Sequence, residues 1–506
     1  MDSLWAVLVG AREAAGDQLA VVDGECRCDY ASLGSQVDAL ARGFAERGLG
    51  PGDRVACLLP NGLEILELTF AAAGLGAVLV PLNTRLAPRE LAAILDDCDP
   101  RLLVVHETLL GMADAATRSA AVTPEFVLVG DGGWQVDFQD PGDFEAHPVE
   151  LDDLVHLYYT SGTTGRSKGV QLSARNVLRH AEAAARELEL GPDDRWGHFA
   201  PMFHLADAWA TIAVTMARGR HVMLPSFESG AACDLIEREG VTLTNLVPTM
   251  LNFMVHDART SRERLASMRR VLSGGAPIAP ELVRRVMELF GCEYVQTYGL
   301  TETSPYLTLS LLQPHLEQLP EAEQFVYRAK TGRAFAAVEL RVVGTDGQHV
   351  ARNGVAIGEI HARGETVTRG YWKRPAETAA AFDGEWFKTG DLATIDAEGY
   401  LEIVDRAKDV ILTGGETVYS TEVEYALAEH PAVLEVAVFS TPDECWGELV
   451  SAAVVPVTGA TIDTGALGVH CRERLAAYKC PRVWRVMDAL PKTGSGKIQK
   501  AALRER

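Results

Sequence analysis

A loop of glycine and hydroxyl residues follows an apolar segment in the first third of the chain. The loop reads Thr160-Ser161-Gly162-Thr163-Thr164-Gly165-Arg166-Ser167-Lys168. Glycines allow turns in which several backbone N–H groups converge on one anion, hydroxyls add donors and Lys168 adds a positive charge. The pattern predicts a polyphosphate-binding loop, with a flexible polar loop as the alternative. It is not a Walker A loop, because Gly162 and Gly165 are too close together and Gly169 follows Lys168.

A second polar segment follows Val295, at the end of another predicted strand. Ligands bind at such carboxyl ends in open α/β sheets. Tyr298 offers a flat face for a purine, Thr301 can donate to a phosphate, and the Glu302 carboxylate can bind Mg²⁺. Taken alone, the segment is better explained as a polar turn.

Two more candidates lie further along the chain. Asp391 could accept both hydroxyls of a ribose, with Arg406 nearby in sequence. The alternatives are a hairpin turn for Asp391 and a surface charge for Arg406. Lys497 lies on a Gly/Ser loop, from which it could reach a remote site, although a solvated tail explains that loop equally simply.

Alternating strands and helices must position these residues. Residues 54–59 predict a strand, residues 63–73 a helix and residues 77–80 a second strand, which together form a βαβ unit. The same alternation of strands and helices is found again between residues 221 and 289, so we predict an α/β fold with mainly parallel sheets. From about Arg341, short segments with turns at Asp346-Gly347 and Asn353-Gly354 predict a small antiparallel region.

The charge, the cysteines and the apolar segments argue against several classes of function. The 506 residues carry a net charge of −23, which argues against a general nucleic-acid or anionic-membrane surface. Residues 470–506 contain ten Lys/Arg and three Asp/Glu, a local charge of +7. The nine scattered cysteines form no CxxC pair and predict reduced thiols, and residues 68–82 are too short an apolar stretch to span a membrane. We therefore expect a cytoplasmic protein.

Taken in order, these motifs resemble the AMP-forming adenylating enzymes, which include acyl-CoA synthetases, peptide-synthetase adenylation domains and firefly-type luciferases. The resemblance covers nearly the whole chain. It also includes residues 52–56, 60–61, 76–83, 201–204, 273–277, 370–372 and 414–424. One departure is the pair Gln499-Lys500, where the family often has an arginine; Lys500 keeps a cation there.

The resemblance implies roles for individual residues. The loop over the β- and γ-phosphates would comprise Thr160, Ser161, Gly162, Thr163, Thr164, Gly165 and Lys168. The adenine site would comprise Gly274, Gly275, Ala276 and Tyr298, and Gly299 would also belong to the ATP-binding residues. By the same resemblance, Thr301 contacts the α-phosphate, Glu302 holds Mg²⁺, Asp391 and Arg406 bind the ribose, and Lys497 is the catalytic lysine.

The resemblance also implies two domains. Residues 1–405 would form a multi-sheet domain with mainly parallel sheets and a small β-barrel-like region. Residues 406–506 would form a mobile α+β lid that turns about a hinge near Lys408. Gly414 and Gly415 would line the tunnel through which coenzyme A reaches the acyl group.

The acid is expected to be apolar. Adenylation domains for amino acids place an Asp where this chain has Phe203-His204, and apolar residues follow up to Ile212. The expected acyl pocket comprises His204, Trp209, Gly275 and Gly299. The leading hypothesis is a fatty acyl-CoA synthetase, with an aryl or polycyclic acid as the alternative. Transfer to a carrier protein, a luciferase-like oxygenase, a non-catalytic nucleotide-binding module and a homodimer are left open.

Overall fold

The computed structural model describes residues 2–130, 133–134, 144–161, 167–457, 459–492 and 498–504. Four predicted loop residues, Gly162, Thr163, Thr164 and Gly165, lie outside these ranges, as does Lys497. The side chain of Ser161 is not described either.

Helices and strands alternate along most of the described chain. The helices are α1 (Leu4–Ala15), α2 (Tyr30–Glu46), α3 (Leu63–Leu75), α4 (Pro88–Cys98), α5 (Leu110–Thr117), α6 (Ala174–Glu187), α7 (Leu205–Met216), α8 (Ser229–Glu239), α9 (Pro248–His256), α10 (Pro280–Phe290), α11 (Glu321–Arg328), α12 (Pro375–Ala381), α13 (Ser420–Ala428), α14 (Thr464–Arg472) and α15 (Lys500–Arg504). The strands are β1 (Leu19–Asp23), β2 (Cys26–Asp29), β3 (Arg54–Leu58), β4 (Val78–Pro81), β5 (Leu102–His106), β6 (Glu125–Gly130), β7 (Gly133–Trp134), β8 (Leu154–Ser161), β9 (Ser167–Ser173), β10 (Arg195–His198), β11 (Arg220–Met223), β12 (Leu243–Asn245), β13 (Arg270–Ser273), β14 (Glu293–Gly299), β15 (Tyr306–Leu309), β16 (Gly332–Ala334), β17 (Val338–Val343), β18 (Gly358–Gly364), β19 (Phe382–Asp383), β20 (Trp386–Ile395), β21 (Tyr400–Arg406), β22 (Ile411–Thr413), β23 (Glu416–Val418), β24 (Val433–Asp443), β25 (Gly447–Pro456) and β26 (Val483–Val486).

The first sheet carries Thr160 and Lys168, two described residues of the predicted phosphate loop, on the hairpin at its edge. Its order is β7-β6-β5-β3-β4-β8-β9, and β3, β4, β5, β6 and β8 run parallel. Strand β4 is buried throughout, and β5 is buried except at its last residue, which explains their unbroken apolar sequences. The unit β3–α3–β4 confirms the βαβ prediction.

The second sheet joins parallel and antiparallel strands in one structure. Strands β1, β11, β10, β12, β13 and β14 are parallel, and β15, β16, β21, β20, β18 and β17 continue the sheet in antiparallel fashion. The predicted α/β class with a further β region is confirmed. The antiparallel part of this sheet that follows β14 begins at Tyr306, earlier than the predicted Arg341. The sequence did not indicate this earlier start, because β15 and β16 are short and carry no hairpin signal.

The C-terminal residues form a separate small sheet. Its order is β23-β22-β25-β24, and β26 pairs in parallel with β25. Helices α13 and α14 pack together beside it. Among the described helices, none is long and apolar enough to cross a membrane. All nine cysteines are free thiols.

A fully buried chain of polar side chains fixes helix α7 against the second sheet. The Asp207 carboxylate on α7 accepts from Trp196 Nε1 at 3.2 Å and contacts His198 Nδ1 at 2.6 Å. His198 Nε2 in turn lies 2.9 Å from His221 Nδ1. Burial and the neighbouring His198 hold the pKa of His221 well below its ordinary value, so His221 is neutral. These contacts set the rotation of α7, and hence the direction of its other side chains.

We expect Asp207→Ala to lower the free energy of unfolding by about 3 kcal/mol, because it leaves two buried donors without an acceptor. The matched control is Glu385→Ala, which breaks an exposed ion pair with Arg363 and should cost less than about 1 kcal/mol. Urea unfolding followed by tryptophan fluorescence measures both. Equal effects of the two substitutions would contradict the role assigned to Asp207.

Candidate active site

The predicted adenine residues lie where adjacent parallel strands end. Strands β13 and β14 pair in register from Arg270 to Ser273, so Gly274 and Tyr298 lie at the same edge of the sheet. Thr297 Oγ1 donates to the Ser273 carbonyl oxygen at 3.1 Å. A Cβ atom at Gly274 would overlap the Thr297 hydroxyl, so this close approach requires glycine.

The space around Gly299 is even smaller than the space around Gly274. A Cβ atom there would overlap the carbonyl oxygen of Pro305, which accepts from the Leu300 N–H at 3.1 Å. The turn that presents Thr301 and Glu302 therefore requires a glycine at its start. Gly275 has a positive φ of 85° and is exposed beside this turn, and Ala276 follows it half-buried.

Tyr298, which the resemblance assigns to the adenine site, meets the proposed ribose pair Asp391 and Arg406 in one cluster. The Tyr298 hydroxyl donates to Asp391 Oδ2 at 2.8 Å, and Arg406 Nε lies 3.0 Å from Asp391 Oδ1. Asp391 and Arg406 are paired across β20 and β21. Burial and the Asp391 charge raise the pKa of Tyr298 well above its ordinary value, so the hydroxyl remains a donor. Each carboxylate oxygen keeps a lone pair that could accept a hydroxyl.

A second cluster joins Glu302 to the base of the predicted phosphate loop. Glu302 is 8% exposed, and its Oε1 accepts from the Tyr371 hydroxyl at 3.0 Å. Lys168 Nζ lies 5.1 Å from the centre of the Tyr371 ring, and Thr160 faces Lys168 across the β8–β9 hairpin. Lys168 and Glu302 therefore both lie against Tyr371, Lys168 at the face of the ring and Glu302 at the hydroxyl group.

The chemistry of this second cluster suits Mg²⁺. Magnesium keeps few protein ligands and takes its other ligands from phosphates and water. Among the described residues, no group of three or more His, Cys, Asp or Glu side chains could form a metal cage. One buried carboxylate beside a phosphate loop is consistent with an ion held mainly by nucleotide.

Two of the four residues predicted for the acid pocket, His204 and Trp209, lie at the start of α7, whereas Gly275 and Gly299 lie at the ends of β13 and β14. His204 precedes the helix, with its ring 5.3 Å from that of Phe203. Trp209 is 3% exposed, and its Nε1 donates to the Ala206 carbonyl oxygen at 3.1 Å. Its ring contacts Trp196 and Tyr306 edge-on. Trp209 is therefore packed as a core residue, and its place in the acyl pocket stays a prediction.

Three C-terminal residues that the resemblance singled out, Lys408, Gly414 and Gly415, are exposed. Lys408 lies between β21 and β22, and Gly414 and Gly415 form the turn between β22 and β23. The Gly414 N–H donates to the Trp446 carbonyl oxygen at 2.8 Å, and the Trp446 indole covers Gly414. The Arg482 guanidinium stacks 4.0 Å from the Trp446 ring centre.

The sequence did not predict three neighbours of these sites: Tyr371, Trp446 and Arg482. Tyr371 belongs to a matched motif, but nothing in its spacing indicated a contact with Glu302. Trp446 lies far from Gly414 and Gly415 in the sequence, so no sequence pattern indicated that they are in contact. No spacing pattern pointed to Arg482.

We expect Gly299→Ala to abolish activity, because the added methyl group must displace the Pro305 carbonyl and with it Thr301 and Glu302. The matched control is Gly111→Ala in helix α5, where a Cβ atom meets nothing within 4 Å. That control should leave activity unchanged and stabilise the helix by up to about 1 kcal/mol. Steady-state assays of the two purified variants compare them, and an active Gly299→Ala enzyme would contradict this account.

Comparison with known proteins gives a consistent picture over the whole chain. The family model "AMP-binding enzyme" matches residues 10–372, and the model of the AMP-binding enzyme C-terminal domain matches residues 422–497. A feruloyl-CoA synthase from Amycolatopsis is 38% identical, over 96% of this chain and 95% of the relative. A long-chain-fatty-acid–CoA ligase from Thermus thermophilus is 35% identical, over 95% of this chain and 90% of the relative. The ATP-bound structure of MatB from Rhodopseudomonas palustris superimposes with a TM-score of 0.89 at 31% identity, covering 100% of this chain and 99% of that one.

Proposed function

The chain belongs to the AMP-binding enzyme family, the AMP-forming adenylating enzymes that its motifs resemble, and on this basis we propose that it joins an apolar carboxylic acid to coenzyme A at the expense of ATP. It is an enzyme of the acid–thiol ligase class, since the relatives compared above are named CoA ligases or synthetases. ATP and coenzyme A are the co-substrates of this class, and Mg²⁺ is part of the proposal.

The observation that carries the proposal is the presence of two clusters at the end of strand β14 and in the turn that follows it. The cluster of Tyr298, Asp391 and Arg406 offers donors and acceptors suited to a nucleoside. The cluster of Lys168, Tyr371 and Glu302 offers a cation and a metal-binding carboxylate suited to phosphates. Both clusters border the strand ends that carry Gly274 and Thr301.

In the proposed first step, a carboxylate oxygen attacks the α-phosphorus of ATP and the bond to pyrophosphate breaks. Both reactants are anions, so the barrier is largely electrostatic. Lys497 would bridge the carboxylate and the α-phosphate, while Lys168 and the loop N–H groups would receive charge on the leaving group. Mg²⁺ held by Glu302 would neutralise phosphate charge.

In the proposed second step, the sulfur of coenzyme A attacks the acyl carbon, the bond to AMP breaks and the thiol proton is lost. Gly414 and Gly415 are assigned to the passage for the thiol. Their exposure on a turn supports this assignment, as do the flat Trp446 indole and the Arg482 cation, which could meet the nucleotide end of coenzyme A.

The proposed domain boundary remains at residues 405 and 406, with the hinge at Lys408. The exposure of Lys408 and the small sheet that begins at Ile411 support it. The two family models match on either side of this region, at residues 10–372 and 422–497. The nine free thiols agree with the cytoplasm as the proposed compartment.

We expect Lys497→Ala to lower acid-dependent ATP–pyrophosphate exchange by about 10²-fold or more, because the two reacting anions lose the cation between them. Thioester formation from supplied acyl-adenylate should persist. The matched control is Lys492→Ala, whose ammonium group binds Glu435 and should have no part in exchange. Survival of exchange in Lys497→Ala would show that the lysine is wrongly assigned.

We expect Gly415→Leu to do the reverse, sparing exchange and slowing thioester formation, because the side chain would enter the thiol passage. Gly459→Leu is the matched control: both glycines have φ above 80° and nothing within 4 Å of a Cβ atom, so the conformational cost is equal. Rapid-quench measurement of each half-reaction separates the effects. Equal loss in both half-reactions counts against the passage, and turnover with a carrier protein but not with free coenzyme A favours the alternative acceptor.

A further inference from the structure

Asp97 is an acidic residue in the last turn of helix α4. A negative charge is unfavourable there, because the helix dipole places partial negative charge at the C-terminal end of a helix. The preceding residue, Asp96, adds a second acid. The Asp97 side chain is nevertheless only 13% exposed, so water does little to stabilise its charge. A charge kept in such a place indicates binding partners outside the helix.

Asp97 is bound by two segments that are distant from it in the sequence. The Tyr159 hydroxyl donates to Asp97 Oδ2 at 2.7 Å, and Arg374 Nη2 donates to Asp97 Oδ1 at 2.7 Å. The Asp97 carbonyl oxygen, which the helix end leaves without a partner inside the helix, accepts from Trp372 Nε1 at 3.2 Å and from Lys373 Nζ at 2.7 Å. Asp97 therefore joins strand β8 to the segment that carries the other three side chains.

Strand β9 lies between these two segments. On one side, Tyr159 of β8 pairs with Gly169 of β9. On the other side, the Trp372 N–H donates to the Gly169 carbonyl oxygen at 2.8 Å. A Cβ atom at Gly169 would lie 3.0 Å from Tyr159 Cζ and 3.4 Å from Trp372 Cβ, which is closer to the tyrosine than an ordinary contact. The Tyr159 ring therefore lies across a glycine, next to Lys168 in the chain, on its way to Asp97.

The joined segments carry the cluster that was assigned to the phosphates. Lys168 precedes Gly169 on β9, and its Nζ lies 5.1 Å from the centre of the Tyr371 ring. The Tyr371 hydroxyl donates to Glu302 Oε1 at 3.0 Å. A shift of the β8–β9 hairpin relative to the segment of Tyr371 would therefore change the separation of Lys168 and Glu302. The contacts of Asp97 with both segments oppose such a shift.

We propose that Asp97 is a positioning residue for ATP, which holds Lys168 and Glu302 at the separation that the β- and γ-phosphates require. It acts through Tyr159 and Arg374 and not through a contact with the nucleotide. Each carboxylate oxygen binds one of the two segments, so both oxygens and the charge are needed. Burial raises the pKa of Tyr159 well above its ordinary value, so its hydroxyl remains a donor. This inference rests on the proposed function and adds a residue to it.

Asp97→Asn removes the charge and one of the two acceptor oxygens. We expect it to raise the Kd of ATP, measured with Mg²⁺ present, by about tenfold. The Kd of AMP should stay within about twofold of the wild-type value, because AMP lacks the β- and γ-phosphates. Isothermal titration calorimetry on the full chain measures both. The matched control is Asp99→Asn at the same helix end: its carboxylate is 60% exposed and pairs with Arg54, its φ of 48° suits asparagine, and neither Kd should change.

Tyr159→Phe is a milder variant, because it removes only the hydroxyl and keeps the ring across Gly169. We expect it to raise the Kd of ATP by about threefold to tenfold and to leave the Kd of AMP unchanged. If the two side chains act through one contact, the double variant Asp97→Asn/Tyr159→Phe should bind ATP no more weakly than Asp97→Asn alone. A double variant whose loss equals the product of the two single losses would contradict this coupling.

The two half-reactions separate positioning from stability. With dodecanoic or cinnamic acid, whichever the wild type uses faster, Asp97→Asn should raise the KM for ATP in pyrophosphate exchange. Thioester formation from supplied acyl-adenylate should keep its rate in the same preparation, because that step involves no pyrophosphate, whereas unfolded protein would slow both steps equally. Equal loss in both half-reactions, or equal weakening of ATP and AMP binding, would overturn the inference and leave the proposed function intact. A wild-type protein that binds neither nucleotide would overturn the proposed function, and this inference with it.

Discussion

The Asp391 carboxylate is the interaction on which the proposed site depends most. It accepts from Tyr298 at the end of the parallel strands and pairs with Arg406 on the antiparallel strand β21. Three strands are thereby tied together at a buried negative charge, which is stable only because two donors face it. The same carboxylate lies where a nucleoside would be expected to bind, so the architecture of the sheet and the chemistry of the crevice share one group.

Strand β21 extends this connection toward the C-terminal unit. Asp405, next to Arg406, accepts from the Ser420 N–H at 2.5 Å and the Ser420 hydroxyl at 3.0 Å, at the beginning of helix α13. Lys500 donates to the same hydroxyl at 2.6 Å and pairs with Glu424 at 2.8 Å. Arg406 on β21 therefore belongs to the proposed nucleotide site, whereas its neighbour Asp405 binds the first turn of α13, a helix that follows Lys408 in the chain.

The sequence predicts those parts of the site that depend on neighbours along the chain. The resemblance assigned Gly274 and Gly299 to ATP binding, and the structure leaves no room for a side chain at either. Tyr371 escaped prediction because its contact with Glu302 spans 69 residues. The assignment of Lys497 stays a prediction, because it lies outside the described residues.

The contact between Asp405 and helix α13 also bears on the rate at which the enzyme could cycle. A carboxylate at the first N–H groups of a helix is stabilised by the unpaired donors there and by the helix dipole. If the small unit turns about Lys408 between the two half-reactions, as the family resemblance implies, the contact between Asp405 and Ser420 must break and form again in each turnover. The free energy needed to break this contact would then contribute to the barrier for the rotation. Asp405, although remote from the reacting atoms, would thereby affect the rate at which thioester formation follows adenylate formation.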